Sequence, residues 1–256
     1  MSAVDLRDRY SRHVLFGPVG REGQKKIRAA RILVIGCGAL GTNIANLCAR
    51  AGVGFMRIVD PDIVEMSNLH RQVLYDEKDA DDNIPKVLAA ERRLRQINGE
   101  VEIEPVIERV DPQNIERLMK GTDLVMDGTD NPKTRYLIND ACVKHSVPWV
   151  YGGAIGASGA SMAFVPGGPC LACVWPDPPD PDSVLTCDVA GVLNTAPALV
   201  AAVQVTEAIK IFIGAPTRPT LWQIELWEGQ IASVTVKKNK KCPVCSKGEY
   251  RHLHAL

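Results

Sequence analysis

The chain has 256 residues, and its 30 Lys+Arg are balanced by 30 Asp+Glu. A net charge of zero gives no bulk argument for binding nucleic acid or an anionic membrane, and the length is ample for one large domain or two small ones with a sizeable core. The polar N-terminus MSAVDLRDRY lacks the apolar stretch of a secretory signal, and the eight cysteines are scattered apart from two C-x-x-C pairs. Together these suggest a reducing, cytoplasmic setting with metal or redox chemistry rather than disulfides.

Residues 1–16 carry Arg7, Arg9, Arg12 and His13 around Tyr10, Val14 and Leu15, an arm or short helix that composition alone reads as a basic face. Residues 20–30 are a second short helix candidate. The stretch 31–60, RILVIGCGALGTNIANLCARAGVGFMRIVD, organises the rest of the chain. Its apolar run 32–35 suits a buried parallel strand, Gly36, Gly38 and Gly41 form G-x-G-x-x-G, residues 39–50 predict a helix, and 55–60 a second strand ending at Asp60. In this order the glycines let phosphate oxygens approach a helix N-terminus whose free N–H groups favour anions. Asp60 stands where an acid can hold ribose hydroxyls. The bland alternative is a glycine turn that serves only helix–strand packing.

After Asp60, PDIVEMSNLHRQVLY concentrates Asp62, Glu65, Ser67, Asn68, His70, Arg71 and Gln72 beyond a strand's C-terminal end, where α/β sheets bind ligands. Residues 76–82 read as an acidic surface loop. Residues 84–97 predict an amphipathic helix with Pro85 in its first turn. Lys86 there opposes the helix dipole, which either a bound anion or plain solvation explains. Residues 101–106 contain Pro105 and suit a strand near the sheet edge. Residues 111–120 predict a helix capped by Asp111, and 122–127 a buried strand running into DGTDN. Asp127, Asp130 and Asn131 therefore cluster at a strand end. Asp130 either caps the helix 132–145 or is a Mg²⁺ carboxylate facing phosphates.

Residues 147–151 predict the next strand, and 160–165 one in a different direction after Gly152, Gly153, Gly156 and Gly159. The proline-rich stretch 167–191 reads as a long functional or mobile loop. Residues 190–213 predict an apolar helix, in the core or at a subunit interface, whose Pro197, Gln204, Glu207 and Lys210 argue against a membrane span. Residues 220–226 and 231–236 predict a hairpin around Glu228-Gly229.

Cys170-x-x-Cys173 and Cys242-x-x-Cys245 have metal-ligand spacing. Four thiolates suit tetrahedral, structural zinc, and the lysine-rich 237–241 favours thiolates. Such a site would pin the C-terminal tail to the long loop. A redox-active C-x-x-C is the alternative. Cys37, Cys48 and Cys142 read as small buried hydrophobes, whereas Cys187, beside Asp188, stays open as a reactive thiol.

Taken together, the motifs resemble the ThiF/MoeB/HesA family of the ubiquitin-activating-enzyme superfamily. The carriers are GCGALG (36–41), Asp60-Pro61-Asp62, SNLHRQ (67–72), Pro85-Lys86, GTDN (128–131), both C-x-x-C pairs and TCDVAGVL (186–193). Ala39, Asn83 and Asn194 depart from glycines usual at those places. The resemblance implies a single ThiF-type domain over 1–256, with an N-terminal arm and helix (1–30), a nucleotide-binding half (31–151) and a carrier-binding, zinc and dimer half (152–256). Its fold would be α/β, a doubly wound, mainly parallel Rossmann-like sheet with an antiparallel extension and a four-cysteine zinc site.

The implied activity is ATP-dependent adenylylation of the C-terminal glycine of a ubiquitin-like sulfur carrier of ThiS or MoaD type, ending in Gly-Gly, with release of pyrophosphate. The setting would be thiamine, molybdopterin or related biosynthesis. Gly36, Gly38, Gly41, Asp60, Asp62, Ser67, Leu69, His70, Gln72 and Asn131 would surround the nucleotide. Arg71 and Lys86 would neutralise the phosphates, Asn68 would hydrogen-bond them, and Asp130 would hold Mg²⁺. Arg12 matches an arginine finger supplied by the neighbouring subunit of a homodimer, and Cys187 a thiol that links covalently to the carrier in ThiF-like members. A separate protein would donate sulfur. The rivals are adenylation of another carboxylate or amide (peptide or tRNA-linked), an NAD-dependent dehydrogenase suggested by the glycine motif and Asp60, and a non-catalytic scaffold subunit. The mark of a scaffold would be loss of Arg71, Lys86 and Asp130, which are present.

Overall fold

The computed structural model describes residues 8–179 and 187–254. Strands β1 (Arg31–Ile35), β2 (Phe55–Val59), β3 (Glu102–Val106), β4 (Leu124–Asp127), β5 (Trp149–Ile155), β6 (Ser158–Phe164), β7 (Thr220–Glu225) and β8 (Gln230–Thr235) form one sheet in the order β3-β2-β1-β4-β5-β6-β7-β8. The first five run parallel, and β6, β7 and β8 are added antiparallel. This is the expected doubly wound sheet with its antiparallel extension. The strand order reverses between β1 and β4, so their C-terminal ends diverge into a crevice, the usual ligand position in such sheets.

Alternation along each central strand buries both faces. Ile32 and Val34 of β1 point into one layer with Met56, Ile58, Leu124 and Met126. There they meet Ile44 and Cys48 of α3 (Ala39–Ala51), Leu94 of α5 (Lys86–Ile97) and Val200 of α10 (Thr195–Ile213). Leu33 and Ile35 point the other way, with Val125, against Leu118 of α6 (Ile115–Met119) and Ile138 of α7 (Pro132–His145). Helix α10 is long and apolar enough to cross a membrane, but it packs on α3, β5, β6 and α2 (Gly20–Ala29).

Several local expectations need correction. Residues 76–82 are not a loop: α4 (Glu77–Asp81) is closed by a capping box between Asp76 and Asp79, and buried Asp79 pairs with Arg92. Asp111 does cap backbone, accepting from Gln113 and Asn114 N–H at 2.8 and 2.9 Å, but this closes a turn and the α-helix begins only at Ile115. The predicted 190–213 helix begins only at Thr195, as α10; Ala190 instead ends a separate short helix, α9 (Cys187–Ala190), and Gly191 follows it with φ 73°. Asn83 has φ 51°, the left-handed region that glycine favours and asparagine tolerates, which accounts for a glycine being usual there.

Candidate active site

The turn after β1 is shaped by backbone approach. A Cβ on Gly41 would stand 1.9 Å from Gly36 O, and one on Gly128 would stand 2.6 Å from the same oxygen. These glycines therefore pack α3, β1 and the loop after β4 together. Gly38 differs. A Cβ there meets only Gln72 Nε2 at 3.8 Å, and Gly38 is the N-cap of α3 with no side-chain cap, so the first-turn N–H groups stay open to a ligand. Buried Gln72 faces this space through Nε2, and its Oε1 has no hydrogen-bond partner among the described residues.

At the end of β2, Asp60 is buried and accepts from Cys37 N at 2.6 Å and from Asp62 N at 2.9 Å. Burial pushes its pKa up, opposed by Lys86 and these two N–H groups. One lone pair on each oxygen remains for a donor such as a ribose hydroxyl. Lys86 starts α5 and is neither solvated nor unpaired: its side chain is 9% exposed and its Nζ lies 3.1 Å from Asp62 Oδ2. Backbone pairing of Ile63 with Pro85, and Lys86 N donating to Asp62 O at 2.9 Å, fix that meeting. A one-turn 3₁₀ helix, Met66–Asn68, opens the polar motif, and Arg71 donates to Asn68 Oδ1 at 2.6 Å and to Ser67 O at 3.2 Å while contacting His70.

On the other side of the crevice, Asn131 and not Asp130 caps α7, its Oδ1 accepting from Lys133 N at 2.9 Å. Asp130 is exposed and its carboxylate makes no hydrogen bond or ion pair among the described residues. Beneath it lies a network that the sequence did not reveal. Fully buried Asp127 accepts from Thr129 N and Oγ1, Gly152 N and Arg135 Nε. Burial pushes Asp127 up, and Arg135 with the N–H and O–H donors opposes this. Burial alone would lower Arg135, but Asp127 and Tyr151 outweigh it and the direction is up.

Arg12 is not part of this assembly within one chain. It is exposed on α1 (Ser11–Leu15), a segment anchored by Arg9 on Ile97 O, by His13 on Gln24 and by Tyr10 on Asn98. Asn98 and Gln24 in turn donate to Ala49 O and Ala51 O. These are the C-terminal ends of α5 and α3, and the glycine turn lies at the other end of α3, roughly 20 Å away at 1.5 Å per residue. Cys187 begins α9, but its side chain lies outside the described residues. The chain just after it is held on the β5–β6 turn, where Gly156 N donates to Gly191 O and Leu193 N to Gly156 O.

The four paired cysteines converge as expected. All four Sγ atoms lie within 4.8 Å of one another, with Cys170–Cys242 at 3.6 Å and Cys173–Cys245 at 3.5 Å. Zn–S bonds of about 2.3 Å in a tetrahedron put sulfurs about 3.8 Å apart, so this donor set fits zinc. Burial and neighbouring cysteines push Cys170 up, and Cys245 to about 11, whereas at Cys173 burial is outweighed by hydrogen bonds from the Cys170 backbone, Asn239 and the neighbouring thiols, and the direction is down. Asn239 N donates to Cys173 Sγ at 3.4 Å, a supporting contact of the kind that surrounds metal ligands. Two neighbours on α7 hold both arms of the clip: Asn139 accepts from the N–H of Leu171, the first residue of α8 (Leu171–Val174), at 2.8 Å, and Asp140 from His252 N at 2.9 Å.

The ThiF family model matches residues 10–244. The chain belongs to the ThiF family. Among curated ThiF-family relatives, the sulfur carrier protein ThiS adenylyltransferase of Bacillus subtilis is 42% identical, over 97% of this chain and 74% of its own length. The SAMP-activating enzyme E1 of Haloferax volcanii is 38% identical, over 94% of this chain and 89% of its own length. In fold, the chain is similar to the solved structure of E. coli MccB with ATP, at a TM-score of 0.80 and 23% identity, covering 96% of this chain and 76% of that one.

Proposed function

We propose that this ThiF-family chain adenylylates the C-terminal glycine of a ubiquitin-like sulfur-carrier protein at the β1–β4 crevice. The arrangement that carries this reading is an uncapped helix N-terminus at Gly38 facing, across one crevice, a sugar-type acid (Asp60), a buried cation (Lys86) and an unengaged carboxylate (Asp130). Hydride transfer has no use for the last two, whereas phosphoryl chemistry does. ATP lies with its ribose on Asp60 and its phosphates over the α3 N-terminus. The carrier's carboxylate oxygen attacks the α-phosphorus, the bond to the β-phosphate oxygen breaks, and pyrophosphate leaves as the acyl-adenylate forms.

Two anions must meet, so positioned charge is the main catalytic tool. Lys86 exchanges Asp62 for a phosphate. Arg71 turns from Asn68 towards the phosphates, and Asn68 hydrogen-bonds them. Asp130 is the group that fits Mg²⁺, because Asn131 relieves it of capping; bound there, the ion would offset phosphate charge. The distance of Arg12 from its own turn supports a homodimer in which it serves the partner's site. Cys187 acts after adenylation, in covalent linkage to the carrier.

The test is ATP–pyrophosphate exchange driven by a ThiS-type carrier ending in Gly-Gly. Asp130→Ala should abolish exchange, and Arg71→Ala should cost roughly 10²–10³ in rate, the scale of one preorganised charge stabiliser. NAD(H) binding without exchange would overturn the reading.

A further inference from the structure

The adenylation chemistry makes no use of Arg135, yet this side chain ties together every element around Asp130. It lies in α7, five positions after Asp130, and is only 15% exposed. Its Nε donates to Asp127 Oδ2 at 3.2 Å, and its Nη2 to Thr129 O at 2.7 Å and Gly152 O at 3.0 Å. The guanidinium lies 5.2 Å from the ring centroid of Tyr151. One planar fork thus spans the end of β4, the GTDN loop and β5. From α10, Gln204 Nε2 braces the same junction, donating to Asp127 O at 2.8 Å and Val150 O at 3.2 Å.

A buried ion pair is weak evidence of stabilisation, since well-packed apolar residues do as well or better. What the guanidinium adds is direction. Its bond to Thr129 O fixes the plane of the Thr129–Asp130 peptide, because carbonyl and following Cα share that plane. Asn131 holds the other flank by capping α7. Asp130 is therefore gripped through its backbone on both sides while its carboxylate makes no bond among the described residues. A rigid stem bearing a free donor is what a preorganised ligand group requires.

We propose that Arg135 is a positioning residue that aims the Asp130 carboxylate at the divalent cation accompanying the nucleotide. This rests on the reading of the crevice as an ATP site. Arg135→Lys keeps the charge beside Asp127 but, with a single amine, cannot span the Nε and Nη2 partners together. The readout is Mn²⁺ affinity measured by electron paramagnetic resonance with a non-hydrolysable ATP analogue, alongside the Mg²⁺ requirement of exchange.

Arg135→Lys should weaken Mn²⁺ binding about tenfold and raise the half-saturating Mg²⁺ by a similar factor, with metal-free nucleotide binding unchanged. In an Asp130→Asn background the same change should add nothing, because the group it aims is gone. Thr129→Ala, which removes the Oγ1 bond to Asp127 and leaves only the backbone N–H one, should act in the same direction about threefold and keeps the test open if Arg135→Lys does not fold. An equal effect with and without Asp130, no effect in folded protein, or a rise in carrier KM with Mn²⁺ affinity unchanged would each overturn the assignment. Wild-type protein that binds no Mn²⁺–nucleotide would overturn the ATP reading itself, whereas wild-type binding with indifferent variants overturns only the role of Arg135.

Discussion

Gly128→Ala should damage the fold, while Gly38→Ala should spare the fold and damage nucleotide binding. At Gly128 the added Cβ would stand 2.6 Å from Gly36 O, 2.9 Å from Gly41 Cα and 3.0 Å from Ile35 O. All three are backbone atoms, and carbon contacts become comfortable only at about 3.5–4.0 Å. Relief requires the ends of β1 and β4 to part. Overpacking costs about 1–3 kcal/mol, and the lack of any side chain able to yield puts Gly128→Ala near 3 kcal/mol by the same measure, a Tm fall of roughly 6–12 °C for a chain of this size. At Gly38 the nearest atom is a side-chain amide at 3.8 Å, an ordinary contact. Losing an N-cap glycine costs about 1 kcal/mol at most, or roughly 2–4 °C. The methyl would nevertheless occupy space above the open N–H groups of α3, and ATP affinity should fall at least about tenfold, or 1.4 kcal/mol. Thermal melts beside an equilibrium titration with a fluorescent ATP analogue check both. A wild-type Tm for Gly128→Ala, or wild-type ATP affinity for folded Gly38→Ala, would refute this division between packing and ligand glycines.

The same geometry gives three further expected outcomes. Elemental analysis of reduced protein should give about one zinc per chain, lost in Cys170→Ser/Cys173→Ser; zinc retained by that variant would show that the four sulfurs do not form the site. Mixed dimers of Arg12→Ala and Asp130→Ala chains should recover part of the exchange activity that each lacks alone, and heterodimers shown to form without recovery would place the whole site in one chain. Burial raises the Asp60 pKa in the folded state, so its contribution to stability is fullest below the unfolded value of about 3.9 and is lost as pH climbs through the raised one. Urea unfolding at stepped pH should therefore show wild type losing stability relative to Asp60→Asn across that window, and a relative gain would sink the assignment.

The parts of this protein written in short-range pattern were legible. The β1–α3–β2 unit, the glycines and the cysteine pairs each announce themselves within a few residues, and the first of these supplies two adjacent strands of the parallel part of the sheet. What escaped was settled across the chain. Asp130 and Asn131 are neighbours with equal aptitude for capping, and the choice turns on Thr129 folding back onto Asp127. Lys86 finds its counter-ion 24 residues upstream. Arg135 lies in the first turn of α7, just after its proline start, and nothing local separates it from a solvated arginine. Residues 76–82 look like a loop because the burial of Asp79 depends on Arg92, from another helix.

The Lys86–Asp62 pair has a consequence for which anions the crevice admits. A buried lysine with no partner would take up sulfate, inorganic phosphate or any stray carboxylate, and the site would spend its time blocked. Here the lysine already holds a carboxylate at 3.1 Å that is tied to the same backbone ladder, so an incoming ion has to outcompete a resident at very high local concentration. A lone monovalent anion gains little by the exchange. On the proposed reading a triphosphate does, because it would reach the helix N-terminus and Arg71 at the same moment. On that reading the resident acid would work as a threshold, turning a generic affinity for negative charge into a preference for a ligand with several charges in a row.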